Sequence, residues 1–277
     1  MSARRGGAMT AWTDLAARRG GVPVLEPGHV WLAGAGPGDP GLLTLDALAG
    51  LDQADVIVHD ALVDPRVLAL AGPRARLEFA GKRGGRPSPT QEDISQRLVA
   101  LARAGERVLR LKGGDPLVFA RGAEEAEALA AAGVPFRIIP GVTAGLAALA
   151  AARIPATRRG INRAVIFAAG YGADAGGAPD WAALARTAEP IVLYMAMRNL
   201  AEIADALIGG GLSPQTPAAV IAAATTISQR VLVSTLGRVA ADAAADGIEA
   251  PAIVVIGDIV RVRDELDAAA ANAEPSR

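Results

Sequence analysis

The chain has 277 residues, a formal net charge of −1 and a pI of about 6.2, so no surplus of charge draws it to nucleic acid or to an anionic membrane surface. Two histidines and no cysteine exclude disulfides, thiolate nucleophiles, cysteine-held zinc or iron–sulfur clusters, and a histidine-rich metal site. No uncharged apolar run reaches the roughly 18–20 residues that span a bilayer, and the first 27 residues carry arginines without the long apolar core of a signal peptide, so the cytoplasm is the expected compartment.

Residues 1–28 read as a flexible extension. Residues 30–33 form an apolar strand that runs into a glycine-rich loop at 34–41, and residues 42–51 read as a helix with Thr44 near its start. Residues 55–60 form a second strand ending on the carboxylate of Asp60, and a third strand from 77 leads into another glycine-rich loop at 81–85. Thr90 and Asp93 have the spacing of a capping box, ahead of an apolar stripe of Ile94, Leu98 and Leu101 that Gly105 stops. Residues 108–111 make a strand, Gly113-Gly-Asp-Pro116 follows it, residues 123–132 read as a helix, and a strand at 136–139 closes on Pro140-Gly141. This alternation predicts an α/β domain over 29–141 with a mostly parallel sheet. A second α/β domain over 142–262 starts with a helix at 142–152, with strands at 163–169 and 191–195 and a helix at 199–208. Three late strands, at 218–223, 230–235 and 252–256, have short connections and predict a mixed sheet. Residues 263–277 read as a loose, alanine-rich and partly helical tail.

Glycine-rich loops after strands recur at 34–41, 81–85 and 113–116, where the missing Cβ lets backbone approach a ligand. Asp115 follows the carboxyl end of its strand, which is where open α/β sheets bind ligands. The first loop is similar to a dinucleotide fingerprint, with Asp60 as its ribose-binding acid. However, Asp39 stands where the third glycine belongs and Pro37 lacks an N–H, so a nicotinamide-dependent oxidoreductase stands only as an alternative. The basic residues are almost all arginine. The two lysines, Lys82 and Lys112, both fall in glycine-containing segments after strands, which hints that an ammonium is needed at each.

Five motifs, in order, are Ala33-Gly-Ala-Gly-Pro-Gly-Asp-Pro-Gly-Leu-Leu-Thr44, Asp60-Ala-Leu-Val63, Gly81-Lys-Arg-Gly-Gly85, Arg110-Leu-Lys-Gly-Gly-Asp-Pro116 and Pro140-Gly-Val-Thr-Ala144. Through them, residues 30–260 resemble the tetrapyrrole methylases. The resemblance implies two α/β domains of that type with the active site in the cleft between them, a tetrapyrrole substrate, a homodimer, and no nucleic-acid, membrane or metal partner. It implies C-methylation by S-adenosyl-L-methionine, with S-adenosyl-L-homocysteine as product. The Asp-Ala-Leu-Val and Gly-Lys-Arg pieces narrow this to uroporphyrinogen III, methylated twice to precorrin-2 on the way to cobalamin or sirohaem. Only a short segment precedes residue 30, so the monofunctional form is expected, without a fused dehydrogenase–chelatase half.

Carried over residue by residue, the resemblance implies cofactor contacts from Pro37, Gly113, Gly114, Asp115, Val118, Thr143, Ala144, Met195 and Ala224, with Asp60 as proton acceptor and Lys82 as proton donor. The chain departs from the family pattern at Ala196 and Ala224, where glycine is usual. It also departs at Thr157-Arg158-Arg159, where the family has Thr-His-Arg, and at Gly170-Tyr171, where it has Gly-His. The macrocycle's carboxylates call for guanidinium partners, for which Arg83, Arg86, Arg121, Arg158, Arg159 and Arg163 are the candidates. A methylase of another precorrin and a non-catalytic S-adenosylmethionine sensor are the remaining alternatives.

Overall fold

Along β1 (Val30–Gly34) every side chain is buried, and successive residues face opposite sides. Val30 and Leu32 pack with Val56, Val58 and Val108, whereas Trp31 and Ala33 pack with Ile57, Leu109 and Leu111. A strand covered on both faces belongs to a parallel sheet with helices on each side, and the computed structural model, which describes residues 20–81, 90–170 and 177–273, has that arrangement. The sheet runs β3-β2-β4-β1-β5, with β2 (Val56–His59), β3 (Arg76–Phe79), β4 (Val108–Lys112) and β5 (Phe136–Ile139) all parallel to β1. One face carries α1 (Leu45–Gln53) and α2 (Pro65–Leu68), and the other carries α3 (Gln91–Arg103) and α4 (Gly122–Ala131).

The helix starts follow local chemistry. Thr44 Oγ1 accepts the Ala47 N–H at 3.2 Å to cap α1, and Thr90 and Asp93 complete their reciprocal capping box at the head of α3. Leu25, within the stretch expected to be a flexible extension, is instead fully buried, and its N–H donates to Gln53 Oε1 at 3.0 Å.

The chain divides into two compact units. The first comprises the residues up to Gly36 together with Pro40–Gly141, and the second comprises Pro37–Asp39 and everything from Val142. The second unit contains α5 (Ala144–Ala151), β6 (Ile166–Ala169), α6 (Trp181–Arg186), β7 (Ile191–Tyr194), α7 (Leu200–Gly209), β8 (Pro217–Ala222), β9 (Arg230–Thr235), α8 (Val239–Ala245), β10 (Ala252–Ile256) and α9 (Val262–Ala273). Its sheet runs β6-β7-β10-β8-β9, parallel only between β6 and β7, which is the mixed sheet expected from the sequence. Leu193, Val220, Val254, Leu200, Leu207 and Val239 form its core. From Val262 to Ala273 the chain is helical and tied back. The Arg263 guanidinium donates to the Ala152 carbonyl, and Arg153 pairs with Asp267 at 2.6 Å.

Candidate active site

Because β1, β2, β4 and β5 are parallel, their carboxyl ends meet at one edge of the first unit, and most of the motif residues lie there. The crossing of the loops depends on absent side chains. A Cβ on Gly34 would lie 2.5 Å from the Gly114 carbonyl oxygen, and one on Gly141 would lie 2.2 Å from the same atom. Gly114 and Gly36 exchange hydrogen bonds, at 2.7 Å from the Gly114 N–H and 3.1 Å from the Gly36 N–H, and both hold φ near +70° in the left-handed region.

Asp115 braces this crossing. Its Oδ1 accepts the Leu117 N–H at 2.8 Å, and its Oδ2 accepts the Gly141 N–H at 3.0 Å. Asp60, half-buried just beyond β2, accepts the Leu62 N–H at 2.9 Å and the Gly113 N–H at 3.3 Å. Three consecutive residues are thus held by separate partners, Gly113 by Asp60, Gly114 by Gly36 and Asp115 by Leu117 and Gly141, and the Val118 N–H donates to the Asp115 carbonyl at 3.4 Å. Arg121, at φ 59°, pairs with Glu124 at 2.7 Å. Lys82, Arg83 and Arg86 lie outside the described residues.

Lys112 does not face this edge as the free ammonium that its position in the sequence suggested. It is 3% exposed, and its Nζ donates at 2.9 Å to Glu125 Oε1. Arg110, two residues earlier on the same face of β4, donates to the same oxygen at 3.1 Å, and so does Gln91 at 3.1 Å. Glu125 is fully buried, and its Oε2 has no hydrogen-bond partner among the described residues. Burial pushes the Lys112 pKa down, the neighbouring Arg110 cation adds to that, and Glu125 and Asp60 pull it back.

In the second unit, β7 and β8 both pair antiparallel to β10, with Tyr194 and Ile221 opposite the same residue, Ile253. Their carboxyl ends therefore share an edge, from which Met195 and the Ala223–Thr226 turn emerge. Met195 adopts φ 54° and is 42% exposed. Ala224 is half-buried between Ala223 and Thr225, which hold φ 44° and 65°. The loop bearing Pro37 docks on this turn, since the Asp39 N–H donates to Thr225 Oγ1 at 3.1 Å. Thr143 occupies the N-cap position of α5, followed by half-buried Ala144, and Thr143 Oγ1 lies 2.8 Å from the Tyr194 hydroxyl.

Of the remaining arginines, Arg158 pairs with Glu265 at 2.6 Å, Arg159 is exposed, and Arg163 is exposed with its backbone N–H 3.3 Å from Glu189 Oε2. Sequence reasoning missed Tyr194 and Glu125. The signals that could have found them are a tyrosine next to Met195 at a strand end and an acid in the helix that follows two same-face cations.

The site residues suit an adenosyl sulfonium. Glycine backbone is presented without Cβ atoms, carboxylates stand near, the Lys112 ammonium is tied away, and a hydroxyl and a thioether stand in the second unit. Residues 29–240 match the family model of the tetrapyrrole (corrin/porphyrin) methylases, and the chain belongs to that family. It is 59% identical over 250 residues, 89% of each chain, to a uroporphyrinogen-III C-methyltransferase from Sinorhizobium sp. It is 44% identical over 252 residues to a siroheme synthase from Stutzerimonas stutzeri, covering 91% of this chain and 54% of that one, so it spans about half that relative's length. The crystal structure of uroporphyrin-III C-methyl transferase from Thermus thermophilus, complexed with S-adenyl homocysteine, superposes with a TM-score of 0.73 at 39% identity, covering 84% of this chain and 99% of that one.

Proposed function

We infer that this chain transfers methyl groups from S-adenosylmethionine to ring carbons of uroporphyrinogen III, twice in succession, giving precorrin-2 for cobalamin or sirohaem. The observation that carries the inference is the glycine-lined edge of the first unit, where Asp60 holds the backbone of Gly113, Gly36 that of Gly114 and Asp115 that of Gly141, in a chain of this family. S-adenosylmethionine supplies an electrophilic methyl group on a sulfonium. Its transfer to a neutral, electron-rich carbon is an in-line displacement, so alignment and exclusion of water are the protein's main contributions, with alignment worth up to about 7–11 kcal/mol.

In this reading Gly113, Gly114, Asp115 and Val118 of the first unit, and Pro37, Thr143, Ala144, Met195 and Ala224 of the second, bind the cofactor. Asp60 accepts the proton that the newly methylated macrocycle must lose, and Lys82 serves as donor. The support for Asp60 is its half-buried carboxylate, held in one orientation by two backbone N–H groups and adjoining the Gly113 backbone. Arg121, Arg158, Arg159 and Arg163, with Arg83 and Arg86, are the proposed partners of the macrocycle's acetates and propionates. Arg121 and Arg158 would exchange their partners Glu124 and Glu265 for substrate carboxylates, a modest cost because exposed pairs are worth about 0–1 kcal/mol. A cytoplasmic homodimer completes the proposal, on the strength of the family resemblance. Among the described residues no helix is long and apolar enough to cross a membrane.

The test is to mix the protein with S-adenosylmethionine and uroporphyrinogen III and weigh the tetrapyrrole. One and then two added methyl masses are expected. A protein that binds S-adenosylhomocysteine yet leaves the mass unchanged would be a sensor instead, and one that prefers NAD would be an oxidoreductase.

A further inference from the structure

An N-cap threonine ordinarily uses its side-chain oxygen to accept the second or third N–H of its own helix. Thr143 has the extended backbone of a cap, φ −65° and ψ 143°, yet its side chain caps nothing. The Tyr194 hydroxyl from β7 occupies that place, with Oη 2.9 Å from the Gly145 nitrogen, whose N–H it accepts, and 2.8 Å from Thr143 Oγ1. Both side chains are almost fully enclosed, at 7% and 8% exposure. A Cβ at position 145 would lie 2.3 Å from the phenol oxygen, so glycine there is what admits the tyrosine to the helix terminus.

The direction of the Tyr194–Thr143 bond follows from acidity. A phenol, with a pKa of about 10, is a better donor and a poorer acceptor than an aliphatic alcohol, and this one already accepts an N–H. Its proton therefore goes to Thr143 Oγ1. The Thr143 hydroxyl, relieved of capping and already holding one donated hydrogen bond, keeps its own proton for a further acceptor.

We propose that Tyr194 is a positioning residue that caps α5 in place of Thr143 and so presents the Thr143 O–H as a hydrogen-bond donor to an oxygen or nitrogen acceptor of S-adenosylmethionine. The proposal rests on the functional reading above and on the role of Thr143 in it. Tyr194 also immediately precedes Met195, so the same residue that orients the hydroxyl fixes the start of the exposed methionine turn.

The experiment is a calorimetric titration of S-adenosylhomocysteine into the wild type, Tyr194→Phe, Thr143→Val, Thr143→Ser and the Phe/Val double variant, with steady-state kinetics and melting temperatures alongside. Tyr194→Phe and Thr143→Val should each weaken binding about 3–10-fold, the loss of one hydrogen bond. Thr143→Ser should bind as the wild type does, and the double variant should be no weaker than Thr143→Val alone. The Tyr194→Phe effect should fall on the KM for S-adenosylmethionine rather than on kcat or on the KM for the tetrapyrrole. A Tyr194→Phe variant that melts earlier but binds normally would reduce the tyrosine to a helix cap and overturn the proposal. Thr143→Val with unchanged affinity would overturn it however Tyr194→Phe folds, and full additivity in the double variant would do so as well. A wild type that does not bind S-adenosylhomocysteine is a different result, because it removes the functional reading itself.

Discussion

Glu125→Ala should be among the most damaging single substitutions in the first unit. The wild-type carboxylate is fully buried and gathers Arg110 at 3.1 Å, Lys112 at 2.9 Å and Gln91 at 3.1 Å on one oxygen. Truncating it leaves two cations, each 3% exposed, without the carboxylate they share. Breaking a buried pair in this way costs about 3–5 kcal/mol, against a total stability of about 5–15 kcal/mol for a domain. At about 2–4 °C per kcal/mol, the melting temperature should fall by about 6–20 °C. Urea unfolding followed by circular dichroism measures the loss. A triple variant, Arg110→Met, Lys112→Met and Glu125→Leu, should recover most of it, because well-packed apolar groups commonly replace buried ion clusters without penalty. The reasoning fails if Glu125→Ala lies within about 1 kcal/mol of the wild type, the range of an exposed pair, or if the triple variant is no more stable than the single one.

Asp60→Asn should keep its affinity for S-adenosylhomocysteine and slow turnover by about 10²–10⁴-fold; an unchanged single-turnover rate would remove Asp60 from the proton step. Gly141→Ala should destabilise by about 1–3 kcal/mol and abolish cofactor binding, because its Cβ would meet the Gly114 backbone oxygen at 2.2 Å and no flexible side chain is there to yield. A variant that binds and melts like the wild type would show that the crossing can open. Lys112 predicts an alkaline effect. Its folded pKa lies below its unfolded one, so the unfolded chain holds the proton more tightly, the penalty is fully present below the folded pKa, and stability rises with pH from there towards the unfolded pKa. Lys112→Met should remove that part of the rise in melting temperature, and parallel pH profiles for the two proteins would contradict the assignment.

The strand–helix alternation was legible because each core strand is a short apolar run bounded by glycine, proline or a charge, and because Thr90 and Asp93 spell out a helix start within four residues. The short helices α2, α6 and α8 were not read, since four to seven residues show no period to detect. The strand expected to begin at residue 163 begins at Ile166, because the N–H groups of Arg163 and Ala164 turn to the Glu189 carboxylate, 3.3 Å from each, instead of the ladder. That partner lies 25 or 26 residues away, beyond any local pattern. The order β3-β2-β4-β1-β5 is likewise a property of packing. Motif order marks the loops and Asp60 as candidates for the site, but the fate of Lys112 is not legible from it. Strand alternation places Arg110 and Lys112 on one face, and α4 offers Glu124, Glu125 and Glu127, of which only the fold selects the buried one.

The two alanines that stand where the family usually has glycine are accommodated differently. Ala196 is fully buried in the second unit's core, and the room for its methyl group comes from Gly170, where a Cβ would lie 2.4 Å from the Ala196 Cα and 2.6 Å from its Cβ. The extra carbon thus fills space against the end of β6, while Met195 projects as an exposed side chain. At Ala224 the neighbouring glycine is Gly38, where a Cβ would lie 3.6 Å from the Ala224 carbonyl oxygen. The left-handed conformations of its turn fall on Ala223 and Thr225, so the backbone at 224 makes no demand for glycine. Ala223 is held through its carbonyl, which accepts the Thr226 N–H at 3.1 Å and the Thr226 hydroxyl at 2.7 Å, and the Thr225 N–H donates to Gln229 Oε1 at 2.8 Å. The strain in this turn is therefore carried by hydrogen-bonded residues on either side of Ala224, and a methyl group at 224 leaves those bonds in place.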